Sequence, residues 1–240
     1  MNGKIETILR LTQIRVNKST MVKQAARHII LSFMALTLLA ACTTVPQTST
    51  MPSAEQAPSL SALEQAYKQN PNNVQTVINY AGALRDAAYL NRAAIVLAPY
   101  VHAAKPSEDA LLEYSAVQLD LGNYITAEEY AQKAITQNEK NSRAYHLLGI
   151  ALDAQNQHEP AEQAFRKAIE HWPGNPAIVM SDLAQNLTTQ EKVEEAAETM
   201  EEAARLAPNN IEIERNLRIL RALQQTNVAR PPKPSAKPTH

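Results

Sequence analysis

The sequence predicts an all-α solenoid of about four stacked helix pairs with flanking helices. Three observations predict it. Ala, Leu and Glu dominate, while Gly numbers only 5 and aromatics only 5%. Such side chains lose little rotamer freedom in a helix, whereas a sheet would want more Val, Ile, Thr and aromatics. Helix-ending positions then recur at 71, 106, 139, 173 and 208, four of them proline, at spacings of 35, 33, 34 and 35 residues. Finally, Tyr145, Leu148 and Leu152 form an i, i+3, i+7 apolar stripe that returns in each repeat.

Charge separates the chain into two parts. Residues 1–41 hold six of the 23 Lys/Arg and one of the 24 Asp/Glu. Residues 42–240 keep 17 basic and 23 acidic side chains, a net of −6. No basic patch points to nucleic acid. Met21–His28 is basic, and Ile29–Ala41 is apolar, too short to span a membrane comfortably. This is a secretory-signal pattern over 1–41, with Met21 as an alternative start. Leu39-Ala40-Ala41-Cys42 closes it and holds the chain's single cysteine. The tetrad resembles the bacterial lipoprotein box. That resemblance implies cleavage before Cys42, a diacylglyceryl thioether on its sulfur and an acylated new amino terminus. One acyl chain anchors only marginally, so two or three imply lasting membrane residence. Thr43 stands where an aspartate would favour inner-membrane retention in enteric lipoproteins, which leans the expected address toward the outer membrane.

Residues 42–59 are rich in Ser, Thr, Pro and Gln without periodicity, and read as a lipidated start and flexible linker. The solenoid is expected over 60–224. A helix over 61–70 precedes repeats at about 75–107, 108–141, 142–175 and 177–210, and a closing helix covers 211–223. Pro99 falls inside the second helix of the first repeat, so that helix should kink or shorten. Ser107 before Glu108 and Asp109 reads as an N-cap, Thr126–Glu129 as a capping box, and Pro160 and Pro176 as helix starts. Gly149 and Ala161 are small where two helices should cross, while Phe165 and Ala168 should bury the second helix. Ile213, Leu217, Leu220 and Leu223 should seal the last apolar face. Residues 225–240 form a basic, proline-rich tail, expected to be disordered or polyproline-like.

The pattern in 142–175 closely resembles the tetratricopeptide repeat. That resemblance implies that each repeat's first helix lines a concave groove, with positions 2, 5, 9 and 12 pointing into it. Carried onto this sequence, the groove candidates are Asn79, Ala83, Asp86, Leu112, Ala116, Leu119, Arg143, His146, Ile150, Asp153, Ser181, Gln185 and Thr188. Leu112 and Leu119 are apolar where solvent is expected, a sign either of a bound peptide or of filling by neighbouring helices or the chain's own tail.

No catalytic or metal constellation is visible. The chain lacks a second cysteine, an HExxH pair, a GxSxG elbow and a glycine-rich phosphate loop. A non-enzymatic binding protein is therefore expected, with no cofactor beyond the lipid on Cys42 and no small-molecule substrate. A lipoprotein box, a Ser/Thr/Pro linker and serial repeats together resemble the TadD-like lipoprotein family of tight-adherence (Flp-type) pilus assembly. The resemblance implies a periplasmic scaffold whose partners are pilus or secretin components. Pilotin-like secretin chaperones of type IV pili, and adaptors for peptidoglycan enzymes, are alternatives within the same class.

Overall fold

The computed structural model describes residues 58–228. Ten α-helices, and no strand, occur among them. They are α1 (Leu60–Gln69), α2 (Val74–Asp86), α3 (Leu90–Val101), α4 (Glu108–Asp120), α5 (Tyr124–Gln137), α6 (Ser142–Ala154), α7 (His158–His171), α8 (Ala177–Thr189), α9 (Val193–Leu206) and α10 (Ile211–Val228). Four hairpins, α2–α3 through α8–α9, stack in chain order, with α1 on the first and α10 on the last. The fold is the all-α helix-pair solenoid that the periodicity predicts. The signal segment, Cys42 and most of the linker and tail lie outside the described residues.

One turn design joins the helices of every pair. Ala88, Gly122, Asn156 and Glu191 take positive φ of 61–79° after the first helix of each repeat. The next residue's N–H then reaches back to a carbonyl in the last turn: Tyr89 to Leu84, Asn123 to Gln118, Gln157 to Leu152 and Lys192 to Leu187, at 2.8–3.0 Å. This bond satisfies a carbonyl the helix would otherwise leave unpaired. Only Gly122 adopts that conformation without steric cost.

The spacing of these turns corrects the first repeat. The positive-φ residues lie 34, 34 and 35 apart, so the first repeat begins at Val74 and not at 75. Its inward stripe is Val77, Tyr80, Ala81 and Leu84, all fully buried. The cause is Pro99. The second helix of that pair, α3, has 12 residues where α5, α7 and α9 have 14, and a six-residue connection, 102–107, absorbs the difference. Asn79, Ala83 and Asp86 thus stand one residue off the groove frame, and Ile78, Gly82 and Arg85 take those positions.

Caps divide similarly. Ser107 Oγ accepts from Ala110 N at 3.2 Å, as an N-cap should. Thr126–Glu129 is not a capping box. The Gly122–Asn123 turn starts α5 at Tyr124, two residues earlier, and no side-chain bond caps it.

The crossings depend on small residues. Gly149 lies directly against the Phe165 ring, Ala161 is fully buried, and Ser115 Oγ donates to Ala127 O at 2.8 Å. At the end, Ile213, Leu217 and Leu220 of α10 are buried and Leu223 packs partly against the core. By contrast α1 buries no residue fully. It leans Leu63 and Tyr67 on the first pair, with Tyr67 stacked on Tyr80 at 5.2 Å.

Candidate functional site

First helices touch one another across repeats, α2 with α4, α4 with α6, α6 with α8 and α8 with α10. Second helices of successive repeats make no such contact. A row packed tightly on one side and open on the other must curve, so α2, α4, α6 and α8 line the inner face. The candidate residues all lie on these four helices.

A chain of polar contacts runs across this face. Glu113 of α4 is the hub, with a side chain only 6% exposed. Its Oε1 accepts from Arg85 Nε of α2 at 2.8 Å, and its Oε2 from Arg143 Nη2 of α6 at 2.9 Å. Arg85 also reaches Asp120 at 3.5 Å. Burial lowers the tendency of Arg85 to hold its proton, yet Glu113 and Asp120 outweigh it and raise the guanidinium further. Burial pushes the Asp120 carboxyl up, more than Arg85 draws it down. Farther along, His146 Nε2 meets Asp182 Oδ2 of α8 at 2.6 Å. The same ring stands edge-on to Trp172, centroids 5.6 Å apart, and tilted to Phe165. Asn186 of α8 donates to Asp153 Oδ1 of α6, which also meets His158 Nδ1.

The remaining candidates fall as follows. Arg143, His146 and Asp153 are brought together with partners from neighbouring repeats. Leu112 is 2% exposed and Ala116 5%, so adjacent helices fill that part of the face. Leu119 and Ile150 remain partly exposed and form an apolar floor. Ser181 is buried, Thr188 bonds its own helix through Ala184 O, and Gln185 is exposed. Asn79 faces solvent and accepts from Gln75 Nε2, and the Asp86 side chain is 78% exposed. Glu113 and Asp182 are not candidates by repeat position. Both hold position 6, which faces a neighbouring first helix: Glu113 meets Arg85 of α2 and Arg143 of α6, and Asp182 meets His146 of α6.

Among the described residues, no group of three or more His, Cys, Asp or Glu is placed to hold a metal ion, and no helix is long and apolar enough to cross a membrane.

Comparison with known proteins adds to this geometry. Residues 117–176 match the family model "Tetratricopeptide repeat". A thermophilic repeat protein of Thermus thermophilus superposes with TM-score 0.62 at 16% identity, over 68% of this chain and 89% of that one. The crystal structure of MamA gives 0.52 at 23% identity, over 61% and 85%. YrrB, described as a repeat protein with an unusual peptide-binding site, gives 0.52 at 17%, over 70% and 81%. Among curated proteins nothing matches. Turn, stripe and match together define the class: residues 58–228 fold as a tetratricopeptide-repeat solenoid.

Proposed function

We propose that this protein is a lipid-anchored scaffold that docks a partner protein on its inner face. The observation that carries the reading is that face itself. Four first helices present a continuous surface with an apolar floor at Leu119 and Ile150, bordered by charged groups already positioned across repeats. Fixed side chains lose little entropy on binding. YrrB, with the same fold, is described as having a peptide-binding site.

Cys42, behind its apolar run, supplies the anchor, and the linker over 42–59 holds the solenoid off the bilayer. The lipoprotein box and serial repeats support assembly of a Flp/Tad-type pilus secretion system as the setting, on the periplasmic face of the outer membrane. A pilotin-like secretin chaperone and an adaptor for peptidoglycan enzymes are the alternative readings of the same docking surface. Cys42→Ala should move the protein from the membrane to the soluble fraction, and persistent membrane association would refute the anchor. Arg143→Glu with His146→Ala should lower co-purification of a secretin or pilus component without unfolding the chain. Unchanged recovery would refute docking on this face, and recovery of murein hydrolases in place of a secretin would favour the adaptor.

A further inference from the structure

Resting on the reading of the inner face as a docking surface, we propose that the chain's own tail, residues 229–240, occupies that face in cis when no partner is bound.

The face is acidic around its apolar floor. Glu113 and Asp120 share α4 with Leu119, Asp153 shares α6 with Ile150, Asp182 stands on α8 and Asp86 ends α2, against the cations Arg85 and Arg143. Asp86, Asp120 and Asp153 sit in the last turns of α2, α4 and α6. A negative charge there opposes the helix dipole, so none of the three serves its own helix. Their side chains are 78%, 46% and 33% exposed; Asp120 already meets Arg85 through Oδ2, and Asp153 meets His158 and Asn186 through Oδ1.

The tail has the complementary chemistry. Residues 229–240 contain Arg230, Lys233 and Lys237, no acid, and four prolines. Prolines favour an extended strand that needs no hydrogen-bond partner and loses little entropy on docking.

Its origin and length fit as well. α10 packs on α8 and α9 and is the fifth helix of the inner row. It has 18 residues against 13 in α8, so its end projects about 7 Å past the others at 1.5 Å per residue. That is the side on which Asp153 and Asp120 lie. Twelve residues at about 3.1 Å each reach roughly 37 Å. Neighbouring helix axes lie about 8–10 Å apart, so that length passes α8 and α6 and arrives at α4. Lys233 and Lys237 are about 12 Å apart in such a strand, close to one helix spacing. Each can therefore meet a carboxylate on a successive helix.

The test uses the full chain in its host membranes. A photo-reactive Ser235→p-benzoylphenylalanine variant is irradiated, digested and analysed by mass spectrometry, with light- and heavy-isotope copies co-expressed. The expected result is cross-links from the tail to peptides of α4 or α6 within one copy. These should be lost when Arg230→Glu, Lys233→Glu and Lys237→Glu are added, changes that lie outside the helices. Cross-links joining light to heavy copies would overturn the proposal in favour of a second copy as occupant. Cross-links confined to the outer helices α7 or α9, or none at all, would also overturn it. The same reagent at Ile150 separates the two readings: capture of a partner there, with position 235 silent, would sink the tail proposal and leave the docking surface standing.

Discussion

Replacing Gly149 with alanine should loosen the third helix pair. A Cβ at this position would sit 2.6 Å from two ring carbons of Phe165 and 3.0 Å from a third. Phe165 is 2% exposed, and Ala161 and Ala168 on its own helix are fully buried, so the ring has no open space to enter. Two effects oppose each other. Alanine gains about 1 kcal/mol over glycine in a helix interior. Overpacking a dense core costs about 1–3 kcal/mol, and a clash this close belongs in the upper part of that range. The net expectation is a loss of about 1–2 kcal/mol, or a fall in melting temperature of about 2–8 °C for a chain this size. Gly82 is the internal control. A Cβ there meets only the Glu113 carboxylate, with Oε1 nearest at 3.6 Å, an ordinary contact. Gly82→Ala should therefore be neutral or stabilising by up to about 1 kcal/mol. Thermal and urea unfolding followed by circular dichroism reads both variants. If Gly149→Ala is as stable as the parent, or if both glycines respond alike, the crossing geometry assigned to α6 and α7 is wrong. Adding Phe165→Leu should restore part of the loss, since it relieves the clash it is paired with.

Two further expectations concern charge. Glu113→Gln removes the carboxylate shared by Arg85 and Arg143 and should cost about 1–3 kcal/mol, moderated by the exposure of Arg143, with urea unfolding as the check. Glu162 gives a pH signature. Burial works to raise its carboxyl, but hydrogen bonds from Lys192, Arg166 and Gln190 outweigh burial and hold it at about 2, below its ordinary 4.5. A depressed carboxyl contributes stability that is fully present above 4.5 and lost as pH falls through about 2. Arg166 and Lys192 are nearly half exposed, so screening leaves about 1–2 kcal/mol. Glu162→Gln should lower stability at pH 7 by that amount and flatten the acid limb of the stability profile between those two pH values. An unchanged limb would show that the cluster contributes nothing.

What the sequence made legible was whatever repeats or depends on nearest neighbours. The Tyr145–Leu148–Leu152 stripe, small Gly149 and the Ser107 cap are local patterns with local causes. Equating Pro106 with Pro173 misplaces the first repeat by one residue. Pro99 shortens α3, and the longer connection restores the spacing at the wrong register. Thr126 has the residues of a capping box, but the αL turn at Gly122 fixes where α5 begins. Glu113 is invisible in the sequence for a different reason. Its partners Arg85 and Arg143 lie 28 and 30 residues away, and only stacking brings them together. Leu112 is ambiguous for the same cause: its exposure depends on how closely the first helices pack, which no single helix encodes.

The central claim is that the inner row of helices, and not the outer one, receives a partner. Photo-reactive residues at Ile150 on α6 and at exposed Gln163 on α7 compare the two faces within one repeat. In cells, the account predicts adducts heavier than the chain from position 150 and none from position 163. Adducts from 163 alone would contradict it.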